Sequence, residues 1–210
     1  MTQHTTPTQP LTVLAGFRRP PGEESVLTAT RPKEPDLGEF VAYSPQELRQ
    51  HALRQRDPEF TTWLAAMDED LERLALDEVP ELGARPWGPD RLPILEQALL
   101  RHFPTGGLAP TVAQYSLFER FARGVGHIFA SNLDGNWVYA TPIVAPGAPA
   151  HPVVEVPPLP VWIDPGAFLG EALTRRSGTI FESAYEVAAT EHRHWIAAGS
   201  PDPEQWARTH

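Results

Sequence analysis

From Thr111 to Ile163 the apolar positions pass from a helical period to strand-like runs, and the rest of the chain is organised around that stretch. Val112, Tyr115, Phe118, Phe121, Val125, Ile128 and Phe129 share one face at helical spacing and predict a long helix. Asn132-Leu133-Asp134-Gly135-Asn136 supplies a turn. The β-branched and aromatic residues after it predict strands at Trp137–Thr141, Pro152–Val156 and Leu159–Ile163. Pro157-Pro158 separates the last two, so that pair is bent or lies at an edge, because proline gives a ladder no N–H. A small antiparallel meander is the simplest topology for strands this close in sequence.

Helix-start signals flank this stretch on both sides. Ser44-Pro45-Gln46-Glu47 is a capping box with proline at the first helical position, and its helix runs to about Gln55. Asp57-Pro58-Glu59 opens a second helix, with Phe60, Trp63, Leu64, Met67, Leu71 and Leu74 along one unbroken face. Its other face carries Asp68, Glu69, Asp70, Glu72, Asp77 and Glu78. A third helix covers Asp90–His102 with Leu92, Leu95, Leu99 and Phe103 inward. Thr111 and Gln114 box the start of the long helix, where Gly124 and Gly126 each cost ~1 kcal/mol against alanine and so predict a close neighbour. Asp164-Pro165-Gly166 caps a helix with Phe168, Leu169 and Leu173 that ends at Ser177-Gly178. Thr179 and Glu182 box the last one, which extends through Tyr185, Val187 and Trp195 to Gly199. The expected fold is a single α+β domain over residues 40–200, several helices around an antiparallel sheet of about three strands. Residues 1–39 read as a flexible arm and linker, with Leu11–Phe17 as an edge strand, and residues 201–210 as a tail.

Charge narrows the partners. A net charge of −10 and a pI near 5.2 repel phosphate backbones and anionic lipid, and Arg18-Arg19 and Arg175-Arg176 are too small to reverse that. Nucleic acid and membrane surfaces are therefore not expected, whereas a basic protein is. No apolar run approaches the ~20 residues of a membrane span, and the first ten residues lack a signal-peptide pattern, so a cytoplasmic location is expected. The absence of cysteine removes disulfides, thiolate metal sites and cysteine nucleophiles together.

No catalytic motif emerges. His192 and His194 are two apart on a helix and point about 200° away from each other, which suits a surface pair near a helix end better than a metal site. There is no nucleophile elbow, phosphate loop or dinucleotide fingerprint. Neither a metal nor a cofactor is expected. The remaining acid–base candidates are Glu155, within an apolar strand, with Glu119 and His127 on the long helix. Alternation places Glu155 opposite Val154 and Val156, towards solvent on a one-sided sheet. Candidate partner contacts are Trp87 and Trp206, in turn-rich and terminal contexts, and Asp68 and Asp70 on the acidic face. Trp63, Trp137, Trp162 and Trp195 sit in patterns that bury them.

Residues 113–186 carry a helix with aromatic and small residues, then Asn-Leu-Asp-Gly-Asn-Trp, His-Pro-Val-Val-Glu-Val and Ile-Asp-Pro, and a helix ending Arg-Arg-Ser-Gly. This order resembles a loose group of small bacterial α+β proteins in which a helix ends in an Asn-x-Gly-Gly-x-Trp-like turn leading into a sheet. Asp134 stands where glycine is typical of that group. Some of its members look like immunity or accessory proteins, and the resemblance supplies no catalytic residue. Together with the acidity and the lack of a site motif, it leads to the expectation of a non-enzymatic cytoplasmic protein-binding module, immunity-like or accessory. The alternative is a hydrolase or small-ligand protein with a pocket between the long helix and the sheet, using Glu155, Glu119 and His127.

Overall fold

Two aspartates begin helices as their sequence context predicts. Asp57 accepts the Glu59 N–H at 2.8 Å, and Asp164 accepts the Ala167 N–H at 3.1 Å. The structure, a computed structural model, describes residues 45–104, 111–141, 149–203 and 205–206. The N-terminal arm, the Leu11–Phe17 strand, the Ser44 cap and the last four residues lie outside the described residues.

Among the described residues the fold is α+β: seven α-helices and a two-stranded antiparallel sheet. The helices are α1 (Pro45–Arg54), α2 (Pro58–Ala65), α3 (Met67–Arg73), α4 (Leu92–His102), α5 (Tyr115–Asn132), α6 (Pro165–Arg175) and α7 (Ile180–Ala197). A π turn, Leu74–Glu78, continues α3. The strands β1 (Asn136–Ala140) and β2 (His151–Glu155) pair so that Val138 faces Val153 and Tyr139 faces Pro152. The main core is built on α5 (Phe121, Val125, Ile128, Phe129), with leucines of α4, Phe168 and Leu169 of α6, and Phe181 and Tyr185 of α7 around it. Val138, Ala140, Val153 and Trp162 form a second, small cluster on the other side of the sheet. No helix among the described residues is long and apolar enough to cross a membrane.

Several expectations need correction. The third strand reduces to one pair, Val154 with Ile163, closed by two 2.8 Å hydrogen bonds. Pro157, Pro158 and Pro160 supply no donors, and the Leu159 N–H turns back to the Val156 carbonyl, so no ladder can propagate. The first turns of the long helix face outward: Val112 is 96% and Tyr115 57% exposed. The helix expected to run through Leu74 breaks at Ala66. Its cause is Arg123, whose Nη1 donates to the Trp63 carbonyl, the acceptor that the Met67 N–H would take in a continuous helix. Beyond the break Leu71 and Leu74 are buried, whereas Leu64 is 37% exposed.

The last helix is not capped by Thr179, which makes no side-chain cap bond. Glu96, fully buried on α4, accepts the Phe181 N–H at 2.9 Å, and the backbone N–H groups of Ile180, Gly178 and Thr179 face the same carboxylate. Burial pushes the Glu96 pKa up, and those amides act against it. The preceding helix ends at Arg175. Arg176 then takes a left-handed conformation (φ 51°) and donates to the Phe103 and Leu100 carbonyls at the end of α4. His192 is buried rather than on the surface. Its Nδ1 donates to the Pro157 carbonyl at 2.7 Å, and its Nε2 lies 3.3 Å from Asp134 Oδ2. His194, turned the other way, is exposed.

Candidate functional site

Polar chemistry concentrates where α2, α3 and α5 meet the sheet. Arg123 is 4% exposed; its guanidinium lies 4.0 Å above the Trp63 ring, and its Nε lies 3.1 Å from Asp70 Oδ2. That contact is an ion pair whose N–H is not aligned as a hydrogen bond. Glu119, one turn earlier on α5, accepts the Trp63 indole N–H at 2.9 Å and bonds the Tyr115 phenol. Phe60 and Tyr139 stack at 5.2 Å, and Trp63 meets Trp137 edge-on at 4.8 Å. The Glu119 charge, with burial, raises the Tyr115 pKa; burial and then Glu59 raise that of Tyr139.

The three acid–base candidates are not brought together. Glu119 and His127 stand eight residues apart on α5, about 12 Å along its axis. Glu119 acts instead on His151 at the start of β2, and Glu155 lies four residues further along that strand, about 13 Å away. His127 packs edge-on against Trp87 at 5.6 Å. Burial lowers its pKa, with the Asp68 charge opposing.

A pair that sequence reasoning did not assemble is His151 with Asp164, 3.1 Å apart. Asp164 therefore caps α6 with one oxygen and holds His151 with the other. Burial alone would lower the His151 pKa, but the Asp164 bond and charge, the Pro149 carbonyl and Glu119 together lift it above its ordinary 6.5. Bonded to a carboxylate and a carbonyl, the ring serves as a donor, which is a positioning role for the β2 end. A raised histidine pKa contributes stability below about pH 6.5 that is lost as pH rises through the folded-state value. His151→Gln should therefore lower unfolding free energy more at about pH 5.5 than at about pH 9. His51 and His127, whose pKa values are lowered, act in the opposite sense, and comparison with the parent chain at each pH cancels them. Equal losses at both pH values in urea titrations would show that the pair carries no proton linkage.

The partner-contact candidates divide as well. Trp87 is half-buried against Gly124, and its carbonyl accepts from Asn132 at 3.1 Å. Trp206 is half-buried in the last turn, its N–H bonded to the Asp202 carbonyl. Trp162 is buried, whereas Trp63, Trp137 and Trp195 are half-buried. Asp70 is taken by Arg123, and Glu78 by Arg120 at 2.8 Å. Asp68 faces solvent with Glu69, Glu72 and Asp77. Residues 57–78 hold eight carboxylates and one arginine, a net of −7 within a chain of −10. Leu64 and Leu76 lie exposed on the same segment, and Leu76 is 64% exposed. Asp70 and Glu78 thus anchor the segment on α5, while Glu69 pairs along the helix with Arg73 at 2.9 Å and the exposed acids form a charged face. Among the described residues no group of three or more histidine, aspartate or glutamate side chains is placed to hold a metal ion.

Comparison of the chain with protein-family models, curated proteins and solved structures finds no match.

Proposed function

We propose that this protein is a non-enzymatic docking module that binds a basic protein partner through the acidic face of α2, α3 and the π turn. The observation that carries the reading is that face: Asp68, Glu69, Glu72 and Asp77 exposed together with Leu64 and Leu76, on a segment pinned to α5 by two ion pairs. Charge of one sign steers an oppositely charged surface and loses strength with salt, while exposed leucines supply the desolvated contact that charge alone does not. An immunity-like or accessory role is the form of this reading that agrees with the resemblance of residues 113–186. The hydrolase alternative has less support, since Glu119 and His127 stand about 12 Å apart along α5.

The test is a stoichiometric complex isolated from the host and measured with Asp68→Lys/Glu72→Lys. The double reversal should weaken the complex at least tenfold, mainly through a slower association rate, with melting unchanged. A complex indifferent to both the reversal and salt would place the interface elsewhere.

A further inference from the structure

Among the described residues the sheet has two strands, and the outer edge of β1 is met by the Gln55 side chain. The Gln55 carboxamide donates to the Tyr139 carbonyl at 3.0 Å and accepts the Tyr139 N–H at 2.9 Å. Those are the two bonds a residue of a third strand would make. The register explains why they are on offer. Tyr139 faces Pro152, which has no N–H, and Trp137 faces Val154, whose N–H and carbonyl are bonded to Ile163. Both β1 residues therefore direct their own backbone groups outward.

Gln55 follows the last residue of α1, whose described side chains hold it lightly. None of its described side chains is fully buried, and Leu53 is 66% exposed. A further anchor among the described residues is His51, stacked on Trp162 at 5.4 Å. Burial lowers the His51 pKa. A lightly packed helix over a strand edge opens at low cost compared with the core.

We propose that α1 with Gln55 is a displaceable guard, and that the β1 edge it covers takes an extended basic segment of the partner as a third strand. The charge of the segment rests on the docking reading above; the pairing rests on the edge itself. Asp57 and Glu59, which stay behind when α1 is displaced, both act on the Tyr139 phenol, whereas Arg54 leaves with the guard. A second copy of the chain would bring like charges together there, and a basic strand would neutralise them.

The probe is an acetylated eight-residue peptide of alternating lysine and valine, read by fluorescence anisotropy and by amide exchange at Trp137 and Tyr139 in the full chain. Gln55→Ala should bind it at least tenfold tighter than the parent, and bound peptide should slow exchange at both amides. Gln55→Glu keeps the acceptor for Tyr139 and loses the donor, so its affinity should fall between the two. Equal affinity for parent and Gln55→Ala overturns the guard. Equal binding of a glutamate–valine peptide, or of one N-methylated at alternate residues, overturns the basic strand. Asp68→Lys/Glu72→Lys separates the two proposals: unchanged pairing isolates the edge from the acidic face, and lost pairing assigns the peptide to that face and overturns the edge.

Discussion

Arg123→Met should lower the unfolding free energy by about 3–5 kcal/mol, the range for removing one partner of a buried ion pair. Methionine fills much of the same volume, so the loss measures the guanidinium rather than a cavity. Three contacts disappear together: the Asp70 ion pair, the bond to the Trp63 carbonyl and the stack on the Trp63 ring. Asp70, largely buried, keeps its charge with no counter-ion, and Glu119 loses the cation one turn away. Burial already pushes the Arg123 pKa down, with Asp70 and Glu119 holding it up, so this cation is retained by its neighbours rather than by solvent. Arg123→Lys should recover less than half the loss, because one ammonium cannot stack on an indole and serve a carboxylate and a carbonyl at once. Arg123→Met/Asp70→Asn should be less damaging than the sum of its parts, since the second change removes the unpaired charge. Urea unfolding of the parent, Arg123→Met, Asp70→Asn and the double variant gives the coupling directly. A cost below about 1 kcal/mol for Arg123→Met would mean that the ion pair is hydrated and contributes little.

What the sequence shows of this fold follows the range of the interactions involved. Asp57, Asp164 and the Thr111–Gln114 box are local devices, and each forms as its spacing predicts. The leucines of α4 are buried at the predicted positions because their period is that of the helix itself. Arg123 leaves no such trace. It breaks the α2–α3 helix from 60 residues away, at Trp63-Leu64-Ala65-Ala66, where neither glycine nor proline marks a stop. Glu96 is legible only as a polar residue among leucines, yet it caps a helix 85 residues later. His192 and His151 likewise find Pro157, Asp134 and Asp164 only once the chain has folded back on itself. The acidic face is visible as composition, but which of its carboxylates are drawn onto α5 depends on Arg120 and Arg123.

Gly126→Ala should destabilise the protein by about 1–3 kcal/mol, against the sign that helix propensity alone gives. Alanine in a helix interior is favoured over glycine by ~1 kcal/mol, so an open site would gain stability. Gly126 is not open. A Cβ there would lie 2.6 Å from Trp137 Cζ2 and 2.8 Å from Pro165 Cγ, both well inside van der Waals contact. The proline ring begins α6 and cannot swing aside, and Trp137 is itself packed edge-on against Trp63. Relief therefore requires α5 to move from α6 and β1 at once. Gly124 meets the end of the Leu74 side chain at 2.6 Å and Trp87 at 3.2 Å; a leucine methyl can rotate, so Gly124→Ala should cost less. Gly170 has nothing within 4 Å of its Cβ position, and Gly170→Ala should stabilise α6 by about 0.5–1 kcal/mol. Denaturant midpoints for the three alanine variants test the account through their order and sign. Gly126→Ala/Trp137→Phe should recover part of the first loss, because the smaller ring withdraws the atoms nearest the new methyl. If Gly126→Ala and Gly170→Ala shift the midpoint in the same direction, close approach is not what keeps glycine at 126.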